Sequence, residues 1–231
     1  MIDARQPSPA ARETAQPPDG PYGRFSKRLH AWLIARDNPH YESIVESRKR
    51  MLFGQLDGTV IELGPGGGKN FRYYRPSIRW IGVEPNPYAH PYILKRAFDA
   101  GIVADIRTGT AERIPAAPDS ADAVVSTLVF CSVFDPERAL AEVFRVLKPG
   151  GTFAFIEHVA APRETGMRAV QKLIRPVWKV IADGCNPDRD TGLLIEAAGF
   201  EHLTVEHFKI SMAILAPHIA GSGKKPLAPT L

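Results

Sequence analysis

The sequence predicts an α/β fold in which helices cover both faces of a mostly parallel sheet. Two observations support this prediction. Segments rich in β-branched residues alternate with segments of helical periodicity from residue 59 to residue 208, and such alternation is typical of a parallel sheet. Residues 59–71 pass from a β-branched segment through a glycine-rich turn to the start of a helix. That arrangement lets the backbone approach a bound nucleoside closely.

Size and composition are those of an ordinary globular protein. The 231 residues are 44% hydrophobic and 23% charged, which is enough for one domain with a sizeable core. The net charge of +4 is not concentrated in a basic block, so we expect no nucleic-acid partner. The two cysteines, Cys131 and Cys185, are too few for a disulfide framework, and the histidines lack metal-ligand spacing, so we expect no metal.

The location of the protein is predicted from what the sequence lacks. No apolar run is long enough to span a membrane, and the N-terminus has no basic and apolar signal segment. We therefore expect a cytoplasmic protein.

The chain divides into four segments. Residues 1–20 hold four prolines among polar residues, which predicts a disordered tail. Residues 21–54 are predicted to form an N-terminal helical lid, and residues 55–220 the main domain. Residues 221–231 are predicted to form a flexible tail.

The first lid helix has an apolar stripe. Phe25, Leu29, Trp32 and Leu33 recur at helical spacing, with basic residues elsewhere on the helix. Three interpretations stay open. The stripe packs on the domain as a lid, it contacts a dimer partner, or residues 22–36 make a weak, reversible contact with an anionic membrane surface.

The following elements are predicted from periodicity and from helix start and stop signals. Asp135 and Asp188 are the predicted N-caps of two helices, and Pro176 predicts a kink or a break in a third. Residues 212–215 are predicted to pair with the last strand. Strands are expected at 59–63, 80–83, 103–106, 123–129, 152–156 and 201–208, and helices at 41–53, 70–74, 87–100, 136–147, 167–181 and 189–198.

Polar and glycine residues collect where the predicted strands end. Ligands of open α/β sheets bind at the carboxyl ends of the strands, so these residues should meet in one site. The glycine spacing places the third glycine, Gly68, one residue early for a dinucleotide fingerprint, which favours a nucleoside without a pyrophosphate. Glu84 ends the second strand, where a carboxylate can accept both ribose hydroxyls.

Four motifs in this order carry a family resemblance, and they lie at 62–68, at Glu84, at 109–112 and at 147–151. They resemble the class I S-adenosylmethionine-dependent methyltransferases. A closer resemblance covers roughly residues 51–220. The runs 84–87, 126–133, 157–160, 183–185 and 217–219 are similar to the membrane-associated methyltransferase-like proteins that act as alkyl thiol S-methyltransferases.

The resemblance implies a Rossmann-like class I methyltransferase fold with a seven-stranded sheet that is closed by an antiparallel hairpin. It implies S-adenosylmethionine as the cofactor, S-adenosylhomocysteine as the product and a small-molecule acceptor. In the family the loop at 109–115 reaches the adenine. The implied cofactor-binding residues are Glu62, Gly64, Pro65, Gly66, Gly68, Asn70, Glu84, Pro85, Asn86, Thr110, Ala111, Glu112, Thr127 and Leu128, and the implied substrate and lid residues are Tyr41, Cys131, Trp178 and His218.

Two residues are candidates for catalysis. His158 follows the fifth strand, and histidine is the side chain that most often acts as a general base, so it is a candidate base, although a structural histidine explains its position equally well. Asp183 is a candidate for orienting a histidine, with a turn residue as the alternative. Cys185 is interpreted as a small buried residue, since methyl transfer needs no covalent step.

The predicted function is methyl transfer to a small, fairly apolar acceptor, with a thiol favoured. One alternative is methylation of oxygen or nitrogen on a quinone, a phenol or a phospholipid amine, because one fold hosts many acceptors. Another alternative is a non-catalytic module that binds the cofactor or a membrane. The sequence leaves the oligomeric state open.

Overall fold

The computed structural model describes residues 24–211 and 215–227. Its strands are β1 (Thr59–Leu63), β2 (Arg79–Val83), β3 (Ala104–Arg107), β4 (Ala121–Thr127), β5 (Leu147–His158), β6 (Glu201–Lys209) and β7 (Pro217–Lys224). They form one sheet in the order β3-β2-β1-β4-β5-β7-β6. The pairs among β1 to β5 are parallel, and β7 is antiparallel to both of its neighbours. The predicted fold class is therefore confirmed.

Helices pack against both faces of this sheet. They are α1 (Arg24–Ala35), α2 (Pro39–Phe53), α3 (His90–Asp99), α4 (Pro136–Val146), α5 (Gly166–Ile181) and α6 (Thr191–Ala197), with a 3-10 helix at Lys69–Tyr73. Successive strand residues point to opposite faces. Val60 therefore packs in a core with α2 and α3, whereas Ile61 packs in a second core with α4 and α6.

Two helix starts follow from local hydrogen bonds. Asp135 Oδ1 accepts a hydrogen bond from the Arg138 backbone N–H at 3.0 Å, so the predicted cap of α4 is confirmed. Asn38 caps α2 in the same way, through a bond of 3.1 Å from the Tyr41 N–H. The prediction for Asp188 is wrong, because α6 begins at Thr191 and the Asp188 carboxylate instead pairs with Arg175 at 3.2 Å.

The predicted break at Pro176 is wrong, whereas the alternative, a kink, stays a prediction. The helix runs from Gly166 to Ile181 with Pro176 inside it. The periodicity of the apolar residues on both sides of the proline therefore predicted the extent of this helix better than the proline did.

Residues 221–224 belong to a strand and not to the predicted flexible tail at 221–231, of which residues 228–231 lie outside the described residues. The second strand of the terminal hairpin is β7, which extends to Lys224 and pairs with β5 on one side and with β6 on the other. It lies later in the chain than the predicted partner at 212–215, of which residues 212–214 lie outside the described residues. The predicted tail at 1–20 and the first lid residues, 21–23, also lie outside them.

The apolar stripe of α1 faces outward. Phe25 and Leu33 are 80% and 51% exposed, whereas the small residue Ala31 is buried. The interpretation in which the stripe packs on the domain is therefore wrong, although the helix itself lies on the domain. No helix within the described ranges combines the length and the apolar character needed to cross a membrane.

Gly221 tests the central position of β7. A Cβ at this position would overlap the Thr204 carbonyl oxygen of β6 and would lie 2.8 Å from the Phe155 ring of β5. We expect Gly221→Ala to lower the free energy of unfolding by about 3 kcal/mol, since backbone must move to make room. Urea denaturation measures this loss.

Gly166→Ala is the matched control, because no atom lies within 4 Å of the added methyl group and alanine favours the helix. Equal stability of the two variants would contradict the placement of Gly221 between two strands.

Candidate active site

A cavity of about 820 Å³ lies at the carboxyl ends of β1, β2, β4 and β5. Its volume is within the range of small-molecule sites. All of the predicted site residues line it except Gly68 and Asn86. The chain therefore brings together, in one space, the residues predicted to bind the cofactor and those predicted to bind the acceptor.

Gly68 and Asn86 do not line this cavity, and their direct contact with the cofactor stays a prediction. Gly68 has a φ of +72°, and a Cβ there would lie 3.3 Å from the backbone of Ile93 in α3. The Asn86 side-chain amide donates to the Lys27 carbonyl at 3.0 Å. These residues hold the glycine loop against α3 and hold α1 against the loop after β2.

The helix α1 covers the glycine loop. The Ile34 side chain lies over Gly66, where an added Cβ would be 3.1 Å from Ile34 Cδ1. Arg96 of α3 donates to the Gly67 carbonyl at 2.9 Å and to the Ala35 carbonyl at 2.8 Å. One guanidinium therefore joins the end of α1 to the loop beneath it.

Glu62 is a buried hydrogen-bond acceptor rather than a free group on the cavity wall. Its carboxylate accepts from Asn70 Nδ2 at 2.8 Å, from Tyr74 Oη at 2.9 Å and from Trp80 Nε1 at 2.9 Å. Burial raises the pKa of Glu62, and these three donors oppose the rise. The bonds fix Asn70, whose buried Oδ1 has no hydrogen-bond partner among the described residues.

Glu84 is the carboxylate that faces the cavity at the end of β2. Its two oxygens accept from the backbone N–H groups of Gly66, at 3.0 Å, and of Asn86, at 2.9 Å. Each carboxylate oxygen has a second lone pair. Burial raises the pKa of Glu84 to about 7, although both of these bonds lower it.

These features fit S-adenosylmethionine. The free acceptor Asn70 Oδ1 matches an ammonium group, and Glu84 offers acceptors to a pair of hydroxyls. Gly64 and Gly66, with φ of +51° and +54°, expose backbone between them. Asn70, Glu84 and the glycine loop would hold the cofactor, which would supply an electrophilic methyl group.

Glu112 has a different immediate role from the predicted adenine contact. Its Oε1 accepts from the Phe134 backbone N–H at 2.7 Å, and its carbonyl accepts from Arg138 Nε at 3.1 Å. Glu112 therefore joins the loop after β3 to the start of α4. Thr110 and Ala111 line the cavity beside it, and adenine binding by this loop stays a prediction.

A cluster of sulfur and nitrogen atoms lies on another part of the wall. His158 Nε2 is 3.1 Å from Cys185 Sγ, and Trp178 Nε1 donates to the same sulfur at 3.3 Å. A hydrogen bond from the Cys131 thiol, with those of His158 and Trp178, lowers the pKa of Cys185 to about 5. The same interaction and burial raise the pKa of Cys131.

Asp183 does not orient either predicted histidine. Within the described residues its carboxylate contacts His30 of α1 at 3.2 Å and bonds neither His158 nor His218. Asp183 follows α5 with a left-handed φ of +46°, and its side chain lies against α1. The group in contact with His158 is instead Cys185, which the sequence analysis interpreted as a small buried residue.

His218 and Tyr41 complete the wall beside His158. The His218 ring centroid is 6.2 Å from that of His158 and 6.0 Å from that of Tyr41. Burial lowers the pKa of His218 to about 4, so the ring is neutral at physiological pH. The Tyr41 hydroxyl is buried without a hydrogen-bond partner among the described residues, which leaves it free to bind a ligand.

Glu157 is a supporting residue that the sequence analysis missed. It is fully buried, and its carboxylate accepts from the Ser126 hydroxyl and from the backbone N–H groups of Val129, at 3.1 Å, and Phe130, at 3.2 Å. These bonds fix the loop that carries Cys131. A carboxylate inside an otherwise apolar strand was the available signal.

Glu84→Gln tests the assignment of the ribose. We expect the variant to bind S-adenosylhomocysteine more weakly by about 1–3 kcal/mol at about pH 8, since it loses a charged acceptor. The pKa of Glu84 is about 7, so wild-type affinity should fall as the pH drops through this value while the affinity of the variant stays constant. Calorimetric titration measures both effects.

Asp99→Asn, which neutralises an exposed carboxylate on α3, is the control for the change in charge. If Glu84→Gln bound S-adenosylhomocysteine with the affinity and the pH dependence of the wild-type protein, the assignment of Glu84 to the ribose would be wrong.

Gly66→Val tests the glycine loop. We expect it to abolish cofactor binding, because the side chain fills space beneath α1 at a residue with φ of +54°. Gly101→Val controls for the strain of the backbone, which is about 1–3 kcal/mol, since φ there is also positive and no atom lies within 4 Å. A folded Gly66→Val protein with normal affinity would contradict the assignment.

Comparison with known proteins agrees with this geometry. Residues 61–155 match the family model described as a methyltransferase domain. The chain is 34% identical to the human thiol S-methyltransferase TMT1A, over 89% of this chain and 90% of the relative. It is 36% identical to human thiol S-methyltransferase TMT1B, over 86% of this chain and 87% of the relative.

Solved structures show the same fold. The N-methyltransferase NodS of Bradyrhizobium japonicum, solved with S-adenosylhomocysteine, has a TM-score of 0.66 at 14% identity, and the alignment covers 87% of this chain and 97% of that one. The [4+2]-cyclase SpnF has a TM-score of 0.63 at 18% identity, with 81% of each chain covered. With the matches over nearly the whole sequence, the chain belongs to the S-adenosylmethionine-dependent methyltransferases, in the family that includes the thiol S-methyltransferases.

Proposed function

We propose that this enzyme transfers the methyl group of S-adenosylmethionine to a small, fairly apolar thiol. The observation that carries the proposal is that one cavity is lined both by the glycine loop with Glu84 and by Cys131, His158 and Cys185. The relatives named thiol S-methyltransferases align over both parts of the chain, which supports a shared acceptor.

Methyl transfer to a thiol places two requirements on the protein. It must hold the acceptor sulfur in line with the methyl carbon and the leaving sulfur, and such alignment can contribute about 7–11 kcal/mol. It must also favour the thiolate, because a free thiol with a pKa of about 8.5 is mostly protonated at neutral pH. His158, which lies on the wall beside Cys131 and Cys185, is a base that can meet the second requirement.

A panel of matched acceptors tests this proposal. Purified protein is incubated with S-adenosylmethionine and an alkyl thiol, a phenol or an amine of similar size. Mass spectrometry then identifies the methylated product. We expect a methyl thioether and S-adenosylhomocysteine in equal amounts from the thiol alone. Product on oxygen or nitrogen would replace the thiol by another acceptor class, and cofactor binding without turnover would favour a non-catalytic module.

We also propose that α1 and α5 contact an anionic membrane surface from the cytoplasmic side. The contact of His30 with Asp183, at 3.2 Å, holds the end of α5 against α1. Basic residues on α1 complement anionic lipids. The exposed apolar residues are Phe25, Leu29, Trp32 and Leu33 on α1, and Val170, Leu173, Val177, Val180 and Ile181 on α5.

Sedimentation with lipid vesicles tests this contact. We expect binding to vesicles that contain phosphatidylserine, weaker binding in high salt, and loss of binding in the double variant Leu29→Ser, Leu33→Ser. Phe98→Ser is the control, since Phe98 is an exposed apolar residue of α3. Dimerisation that depends on Leu29 and Leu33, without vesicle binding, would assign the stripe to a second copy of the chain instead.

A further inference from the structure

Both cysteines of the sequence meet at one histidine. Cys131 and Cys185 are the two cysteines among 231 residues, and both are buried and line the cavity with His158. One ligand atom from each of the three residues lies within 4.8 Å of the other two. The residues come from three separate places, namely the loop after β4, the end of β5 and the turn after α5.

The separations suit a single metal ion. Tetrahedral zinc with ordinary bond lengths places two sulfur ligands about 3.8 Å apart and a sulfur and a nitrogen ligand about 3.5 Å apart. The observed distance from His158 Nε2 to Cys185 Sγ is 3.1 Å, and the three-atom cluster stays within 4.8 Å. Side-chain adjustments of about 1 Å or less would centre an ion between these atoms.

The surrounding structure fixes the two cysteine loops against each other. The backbone N–H and the side-chain amide of Asn186 both donate to the Cys131 carbonyl, at 2.8 and 3.1 Å. Arg189 donates to the carbonyls of Phe130, at 2.6 Å, and Val133, at 2.7 Å. These hydrogen bonds therefore fix the backbone of the two loops that carry the sulfur atoms.

We propose that Cys131, His158 and Cys185 bind a zinc ion and leave its fourth position open to the cavity for the sulfur of the acceptor. Two thiolates and an imidazole are soft ligands that select zinc over magnesium or calcium. Catalytic zinc sites have three protein ligands and one open position. Trp178, which donates to the Cys185 sulfur at 3.3 Å, would be an outer partner of the kind that orients ligands.

This site would supply the thiolate that the proposed function requires, and the inference rests on that function. A thiol that coordinates zinc loses its proton, which passes to solvent. A lone pair of the bound sulfur then forms the new bond to the methyl carbon. The bond from that carbon to the sulfonium breaks, and its electron pair stays on the sulfur of S-adenosylhomocysteine. The neutral thioether product is a weak ligand and leaves the ion.

No sign of this metal site is visible in the sequence, because its three ligands lie far apart along the chain. Metal motifs are recognised by close spacing along the chain, whereas Cys131, His158 and Cys185 lie on three loops that only the folded sheet brings together.

Cobalt substitution tests the site without relying on activity. The full-length protein is stripped with a chelator, reduced with a phosphine and titrated with Co²⁺. We expect one ion per chain, with thiolate-to-cobalt charge-transfer absorption in the near ultraviolet. Cys131→Ser and Cys185→Ser should each reduce or abolish this absorption, while His218→Gln, a nearby histidine variant outside the cluster, should keep it.

Two further measurements guard against misfolded variants. In the wild-type protein, Zn²⁺ should protect both cysteines from a thiol reagent, and circular dichroism should show that each variant is folded. Absence of charge-transfer absorption at saturating Co²⁺, undiminished absorption in both cysteine variants, or equal reactivity of the thiols with and without Zn²⁺ would overturn the metal site.

Failure of the metal site can be distinguished from failure of the proposed function, which the acceptor panel tests. Metal binding without methylation of any thiol would overturn the proposed function and leave the metal site in place. Thiol methylation at an undiminished rate by protein shown to be free of metal would overturn the role of the ion and leave the proposed function in place.

Discussion

The buried carboxylate of Glu62 is the interaction on which the cofactor end of the cavity depends. Burying a carboxylate away from water costs free energy unless hydrogen-bond donors surround it. The Glu62 carboxylate accepts hydrogen bonds from Asn70, Tyr74 and Trp80. These donors come from the 3-10 helix, the residue after it and β2. One acceptor at the end of β1 therefore fixes the exit of the glycine loop, the next strand and the orientation of Asn70.

The cofactor side of the site could be predicted from the sequence because its parts are local. The spacing from Glu62 to Gly68 places a turn after β1, and Glu84 follows β2 directly. The glycine turn and Glu84 lie at the same end of the sheet, because parallel strands have their carboxyl ends on one side. The same logic placed His158 at the end of β5. Alternating periodicities likewise predicted the sheet, since they depend only on neighbours along the chain.

The remainder depended on contacts that the chain order does not reveal. Cys131 and Cys185 meet because Asn186 and Arg189 join two distant loops. Asp183 turned out to face α1, and nothing in its local sequence indicates this direction. β7 was missed beyond Ala220 because its remaining residues are small and polar, so no alternation marks the strand. Its glycines are required by close packing between two neighbours.

The central claim is that one cavity holds the cofactor at the ends of β1 and β2 and the acceptor beside Cys131, His158 and Cys185. A crystal structure with bound S-adenosylhomocysteine tests it most directly. We expect the ribose hydroxyls to lie within about 3 Å of the Glu84 carboxylate and the sulfur to face the part of the wall formed by those three residues. A ligand bound elsewhere, or a sulfur directed away from these residues, would show that the cavity does not join a cofactor site to an acceptor site.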